Sequence, residues 1–139
     1  SQDTDAMLSQ ISARLDQLHQ LNEAIPDEQL SQAMTRMERA GRSIVSKVEA
    51  KPEQAKLIRR FADYYLPDAV RILDTYAQLE KQDVKGENAD QLRSDICQNA
   101  STIAGAFEKQ LDSLYADATL DIGADLDVLK TILKSQGLA

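Results

Sequence analysis

The chain has one cysteine, one histidine and no tryptophan in 139 residues. Each scarcity excludes something. A lone cysteine, Cys97, forms no internal disulfide, which suits a reducing, cytoplasmic setting. One histidine and one cysteine rule out the zinc patterns built on those ligands. They also leave little from which to assemble a nucleophile and its base. Five glycines and three prolines supply few turns, so the elements must be few and long. Apolar runs reach only a few residues, against the roughly 20 needed to cross a bilayer. There is no secretory leader pattern and no glycine-rich phosphate loop. The chain opens Ser1-Gln2-Asp3 and not with Met, which reads as part of a longer protein with room for a membrane segment upstream.

What is present is a globular composition, 42% hydrophobic and 28% charged, at the length of one domain with one core. The net charge of −7 argues against nucleic-acid binding, in which phosphate neutralisation supplies the affinity. The charge is uneven. Residues 33–62 carry Arg36, Arg39, Arg42, Lys47, Lys51, Lys56, Arg59 and Arg60 against three glutamates, whereas residues 83–139 carry twice as many acidic as basic side chains. Either the basic segment faces a partner, or the two halves pack on each other.

At about 100° per residue the apolar positions fall into helical faces. Leu8, Ile11, Leu15, Leu18, Leu21 and Ile25 line a first helix, about 4–24, which Asp3 or Thr4 caps and Pro26 ends. Leu30, Met34, Met37, Ile44, Val45 and Val48 share an arc of a second, about 27–50. Gly41 lies inside that arc, where it lets a neighbouring helix come close. Pro52 opens a third helix whose apolar set, Ile58, Phe61, Tyr65, Leu66, Val70, Ile72, Leu73 and Tyr76, is broad enough for a central position. Pro67 falls within it and predicts a kink or break near Leu66. After a loop at 82–88, Asn88 caps a fourth helix, about 89–116, with Leu92, Ile96, Ala100, Ile103, Phe107, Leu111 and Leu114 on one face. Residues 118–124 read as irregular. A short fifth helix, about 125–135, buries Leu126, Leu129, Ile132 and Leu133, with Asp121 or Asp125 as its cap. The expected fold is an all-α, elongated bundle of about five helices in one domain, with residues 1–50 as an N-terminal hairpin and 52–139 as the rest of the core.

Few side chains carry chemistry. His19 sits at the border of an apolar face, as a packing or surface histidine does, and Cys97 has no basic neighbour in sequence. The acidic run Asp117, Asp121, Asp125 and Asp127 fails as a calcium loop, because the glycine arrives late, at Gly123, and Val128 stands where a glutamate is required. Asp121, Asp125 and Asp127 remain as candidate ligands for a divalent metal. On a continuous third helix, Arg60, Tyr64, Pro67 and Arg71 form one stripe away from the apolar face. Two guanidiniums near a tyrosine suit a carboxylate or a phosphate; the alternative is an ordinary solvated face.

Phe61-Ala-Asp-Tyr-Tyr-Leu-Pro67 followed by Arg71-Ile-Leu-Asp-Thr-Tyr76 resembles the XpaC-like family, described as bromochloroindolyl phosphate hydrolysis proteins. Glu87-Asn88, Ile103, Ala106-Phe107-Glu108, Leu111, Leu120-Asp121-Ile122, Asp125 to Leu129 and Gly137-Leu138 follow in the same order, so the likeness runs over about 57–138. The resemblance implies a helical bacterial protein, often with membrane-spanning segments upstream and associated with tellurite-resistance proteins. Its label implies phosphate-ester hydrolysis, without catalytic residues that map onto this chain. The expected function is a noncatalytic interaction module with a protein partner and no cofactor. The alternatives are a phosphate-ester hydrolase with an aspartate-bound metal, and peripheral binding to anionic membrane through the basic second helix.

Overall fold

Helical backbone runs through nearly the whole chain in the computed structural model, which describes residues 1–139. The first helix, α1 (Gln2–Glu23), is capped by Ser1 and not by Asp3 or Thr4: the Ser1 hydroxyl accepts from the Thr4 N–H at 3.2 Å. Asp3 and Asp5 then fall in the first turn, where negative charge complements the helix dipole. The chain turns at Pro26, and Asp27 caps α2 (Glu28–Ala50) by accepting from the Leu30 N–H at 2.8 Å. The buried face of α2 is Leu30, Ala33, Met34, Met37, Ala40, Gly41, Ile44 and Val48, spaced by three and four as a helix in a bundle requires. Val45, expected on that face, is only partly covered at its edge.

Residues 52–81 stay helical but change pitch twice. Lys51, at φ −138° and ψ 78°, lies outside the helical region that a following proline disfavours, and leads into a 3-10 segment (Pro52–Ile58). A π turn (Phe61–Tyr65) follows, and α3 (Leu66–Lys81) completes the run. The break expected near Leu66 is therefore a π turn in a chain that remains in the helical region at Tyr65 and Leu66. The Leu66 N–H reaches back five residues to the Phe61 carbonyl. The wider turn takes up one extra residue just ahead of Pro67, whose ring and missing N–H disturb a regular α-helix.

A loop then leads to α4 (Glu87–Ser113), which starts one residue before Asn88 and takes Gly86, at φ 134°, as its cap. Arg93 secures this loop. Its guanidinium donates to the Val84 carbonyl at 2.6 Å, the Leu79 carbonyl at 3.2 Å and Glu80 at 2.8 Å, which ties the loop to the last turn of α3. Leu92, expected on the apolar face of α4, is exposed near its start.

The last helix, α5 (Ala116–Ser135), is continuous through 118–124, contrary to the irregular stretch expected there. Gly123 costs a helix interior about 1 kcal/mol relative to alanine, too little to end it. Asp121 and Asp125 lie within the helix and cap nothing. The expected burial of Leu126, Leu129, Ile132 and Leu133 does not occur either: α5 has no buried residue, because no other element packs along it.

The other four helices form a closed ring. Helix α1 packs on α2 and α3, and α4 packs on α2 and α3. The widest interface is between α2 and α4, so α2 and not the third helix has the most extensive neighbour. The interior is one cluster of 27 buried residues. Two details fix its geometry. A Cβ on Gly41 would lie 2.5 Å from Leu15 Cδ2, so the glycine sets how closely α1 and α2 approach. Phe61, in the π turn, meets Phe107 of α4 edge-on with ring centroids 5.0 Å apart, a favoured aromatic geometry. At one end, buried Gln54 donates to the Leu114 carbonyl at 2.7 Å and ties the 3-10 segment to the end of α4.

Candidate docking surface

Between residues 56 and 65 the exposed side chains are Lys56, Leu57, Arg59, Arg60, Asp63, Tyr64 and Tyr65, three basic, two aromatic and one acidic among them. Tyr64 is 62% exposed, Leu57 52% and Tyr65 49%; Lys56, Arg59 and Arg60 beside them are also exposed. The tight 3-10 segment and the wide π turn present this patch. Ile58, Phe61 and Ala62 on the same segments point into the core. Tyr65, expected inside, is displaced outward where the π turn changes the phase of the helix.

The single stripe Arg60, Tyr64, Pro67 and Arg71 requires a continuous α-helix. The π turn takes up one residue between Arg60 and Arg71, and one residue rotates a helix by about 100°. This turns the Arg71 face away from the Arg60 face. Arg71 is exposed and pairs with Asp68 in its own turn at 3.3 Å, and Pro67 is half-buried. Arg60 and Tyr64 therefore form the centre of the patch, with Leu57 and Tyr65, and Arg71 lies beyond its edge. Sequence reasoning missed Leu57 and Tyr65, although the apolar set of this helix is broader than one buried face can hold.

Three basic residues of α2 are engaged by other side chains, while Arg39 is exposed and in no ion pair. Arg36 bridges to α4, donating to Glu108 at 2.6 Å and to Ser101 at 3.0 Å, and this guanidinium holds the Glu108 carboxyl below its usual range. Arg42 pairs with Asp16 of α1 at 2.8 Å and with Glu38 at 3.3 Å. The Lys47 ammonium lies 4.7 Å from the centroid of the Tyr115 ring, close enough for a cation–π contact. Here the two oppositely charged halves of the chain pack on each other. The ion pairs of the fold do not include Lys56, Arg59 or Arg60, nor Arg39, Lys47 or Lys51 of the same basic segment.

The titratable side chains elsewhere do not converge. His19 is exposed, with Nδ1 at 2.8 Å from Glu38 and Nε2 at 3.3 Å from Glu23; the hydrogen bond to Glu38 raises its pKa. Cys97 lies partly buried beside Tyr76. Burial pushes the thiol up, and it pushes the Tyr76 hydroxyl up to about 12. A thiol held protonated is a poor nucleophile. Asp121, Asp125 and Asp127 are exposed on α5. Asp121 and Asp125 are one turn apart, while Asp127 projects from another side of the helix. No three Asp, Glu, His or Cys side chains anywhere in the fold are grouped as metal ligands. The largest hollow, about 820 Å³, lies between the α1–α2 turn and α3. Its acidic residues are engaged with neighbours, Asp74 accepting from Gln78 at 2.7 Å and Glu80 from Arg93 at 2.8 Å. No helix is long and apolar enough to cross a membrane.

Compared with known proteins, the chain matches the family model described as 5-bromo-4-chloroindolyl phosphate hydrolysis protein over residues 3–129. The match begins in α1, so it includes the two helices that lie outside the sequence resemblance, and it ends within α5, short of Gly137-Leu138. No curated protein and no solved structure matches the chain.

Proposed function

We propose that this chain, which belongs to the family of 5-bromo-4-chloroindolyl phosphate hydrolysis proteins, is a noncatalytic interaction module that docks an acidic protein segment on the surface around Arg60 and Tyr64. The observation that carries this reading is the exposure of Leu57, Tyr64 and Tyr65 next to Arg59 and Arg60, which enter no ion pair of the fold. Tyrosine and arginine are the residues most enriched where proteins bind one another, because each combines a large contact area with a polar end. An arginine that no internal carboxylate engages is open to a bidentate partner. The π turn that displays Tyr64 and Tyr65 is a rare element that concentrates at functional positions. The setting implied by the resemblance, toxic-anion resistance in a bacterial cell, is where the partner is to be sought.

A photo-crosslinking residue at Tyr64, in cells that make the full protein, tests this. A crosslinked partner with an acidic contact segment is expected. Its affinity for the purified chain should fall at least tenfold on Arg60→Glu or Tyr64→Ala, the size of effect typical of a central interface residue. Arg71→Ala, beyond the patch, should change it far less. Binding that ignores all three substitutions places the partner elsewhere and ends the proposal.

A further inference from the structure

Helix α5 is a second surface, separate from the Arg60–Tyr64 patch and on different residues. Leu120, Ile122, Leu126, Val128, Leu129 and Ile132 are each at least half exposed, and the helix buries nothing in its own chain. Most of a helix's stability in a protein comes from packing its apolar face on a neighbour, which α5 lacks within its own chain. Gly123 and the β-branched Thr119, Ile122, Val128, Thr131 and Ile132 weaken it further. Such a helix gains its order from something that covers it.

The pattern identifies the cover. Ile122, Leu126, Leu129 and Leu133 are spaced four, three and four residues apart, the spacing of a coiled-coil seam. Charge along α5 is strictly ordered: Asp117, Asp121, Asp125 and Asp127 all precede Lys130 and Lys134. Laid antiparallel on itself about a two-fold axis between Asp127 and Val128, the helix sets Ile122 against the partner's Leu133 and Leu126 against the partner's Leu129. The same arrangement brings the aspartate half of one helix alongside the lysine half of the other. A parallel pair would instead set four aspartates beside four aspartates. Apolar register and charge order are thus complementary under one two-fold operation, as an isologous interface requires. An anionic membrane does not suit this helix, since the amphipathic helices that bind one carry lysine and arginine on the polar face.

We infer that α5 is a homodimerisation helix that pairs antiparallel with α5 of a second copy of this chain through Ile122, Leu126, Leu129 and Leu133.

Sedimentation equilibrium of the purified 139-residue chain over a concentration series is the test. A dimer of twice 15.4 kDa is expected, and Leu126→Glu with Leu129→Glu should convert it to monomer. Because α5 contributes nothing to the core, that variant should keep the thermal unfolding transition of the four-helix ring, which shows that loss of dimer is not loss of fold. Lys130→Glu with Lys134→Glu should weaken self-association about tenfold. Mixing that variant with Asp121→Lys, Asp125→Lys should restore a dimer of the two. A wild-type chain that stays monomeric overturns the inference, whether or not its α5 binds a foreign protein. So does a dimer indifferent to Leu126 and Leu129. Failure of the charge-swapped pair to associate overturns the antiparallel arrangement.

Discussion

Gly41 shows how one residue sets the spacing of two helices. Alanine there would gain about 1 kcal/mol of helix propensity. Its Cβ would also meet Leu15 Cδ2 at 2.5 Å, and Leu15, wholly buried, gives way only against packed neighbours. Overpacking of this kind costs about 1–3 kcal/mol, so the clash outweighs the propensity and Gly41→Ala should lose up to about 2 kcal/mol. The sign reverses once the obstacle is removed. In a Leu15→Ala background, itself less stable, Gly41→Ala should add about 0.5–1 kcal/mol. Urea unfolding of the four chains that make up this cycle checks both numbers, and equal effects in the two backgrounds would mean that Leu15 does not set the approach. The role of Gly41 is legible in the sequence, since a glycine on the apolar arc of a long helix has few other uses. The caps are not. Ser1, Asp3 and Thr4 are all competent, and so are Gly86 and Asn88. The choice depends on where the chain enters the helix, which composition does not encode.

At the scale of elements, α1 and α2 are joined at their polar edge by Asp16, His19, Glu23, Glu38 and Arg42. The hydrogen bond and charge of Glu38, with Glu23, raise the His19 pKa above its ordinary 6.5, against smaller opposing effects of desolvation and of Arg42. A raised folded-state value means that the native chain binds the proton more tightly than the unfolded chain. The stabilisation is complete below the unfolded value and disappears as pH rises through the folded one. Melting temperature should therefore decline from pH 6 to pH 8, and His19→Gln should remove that part of the slope; a slope unchanged by the substitution would show that His19 is not its source. Elements with a regular apolar arc, α1, α2 and α4, are legible because periodicity of 3.6 residues reports directly on which face is covered. The π turn is legible only as a disturbance at Pro67, since an inserted residue leaves no mark in composition. Residues 118–124 mislead because Gly123 and the nearby aspartates resemble a loop. The apolar face of α5 is visible in the sequence, but not the absence of a cover from the same chain; periodicity says that a face wants a neighbour and is silent about whose.

For the whole molecule, the charge asymmetry divides between inside and outside. Arg36 with Glu108 and Arg42 with Asp16 join neighbouring helices across the ring. Lys56, Arg59 and Arg60, beside Tyr64 and Tyr65, are among the basic side chains that enter no ion pair of the fold. The acidic charge outside the ring lies on α5. Of the candidate residues, Arg60 and Tyr64 are legible as a pair. Arg71 is separated from them by the π turn, and of the three aspartates on exposed α5, Asp121 and Asp125 share one side while Asp127 projects from another. The family description concerns phosphate-ester hydrolysis, whereas the proposed role of this chain is docking and not turnover. The measurement that separates the two most directly is hydrolysis of 5-bromo-4-chloroindolyl phosphate by the purified chain, with Mg²⁺, Mn²⁺ or Zn²⁺ and with chelator. For a docking module, any trace activity should fail to follow the protein through purification and should be the same for Asp125→Ala and Asp127→Ala. Turnover that copurifies with the chain and vanishes in either variant would contradict the docking role, and would make α5 part of an active site.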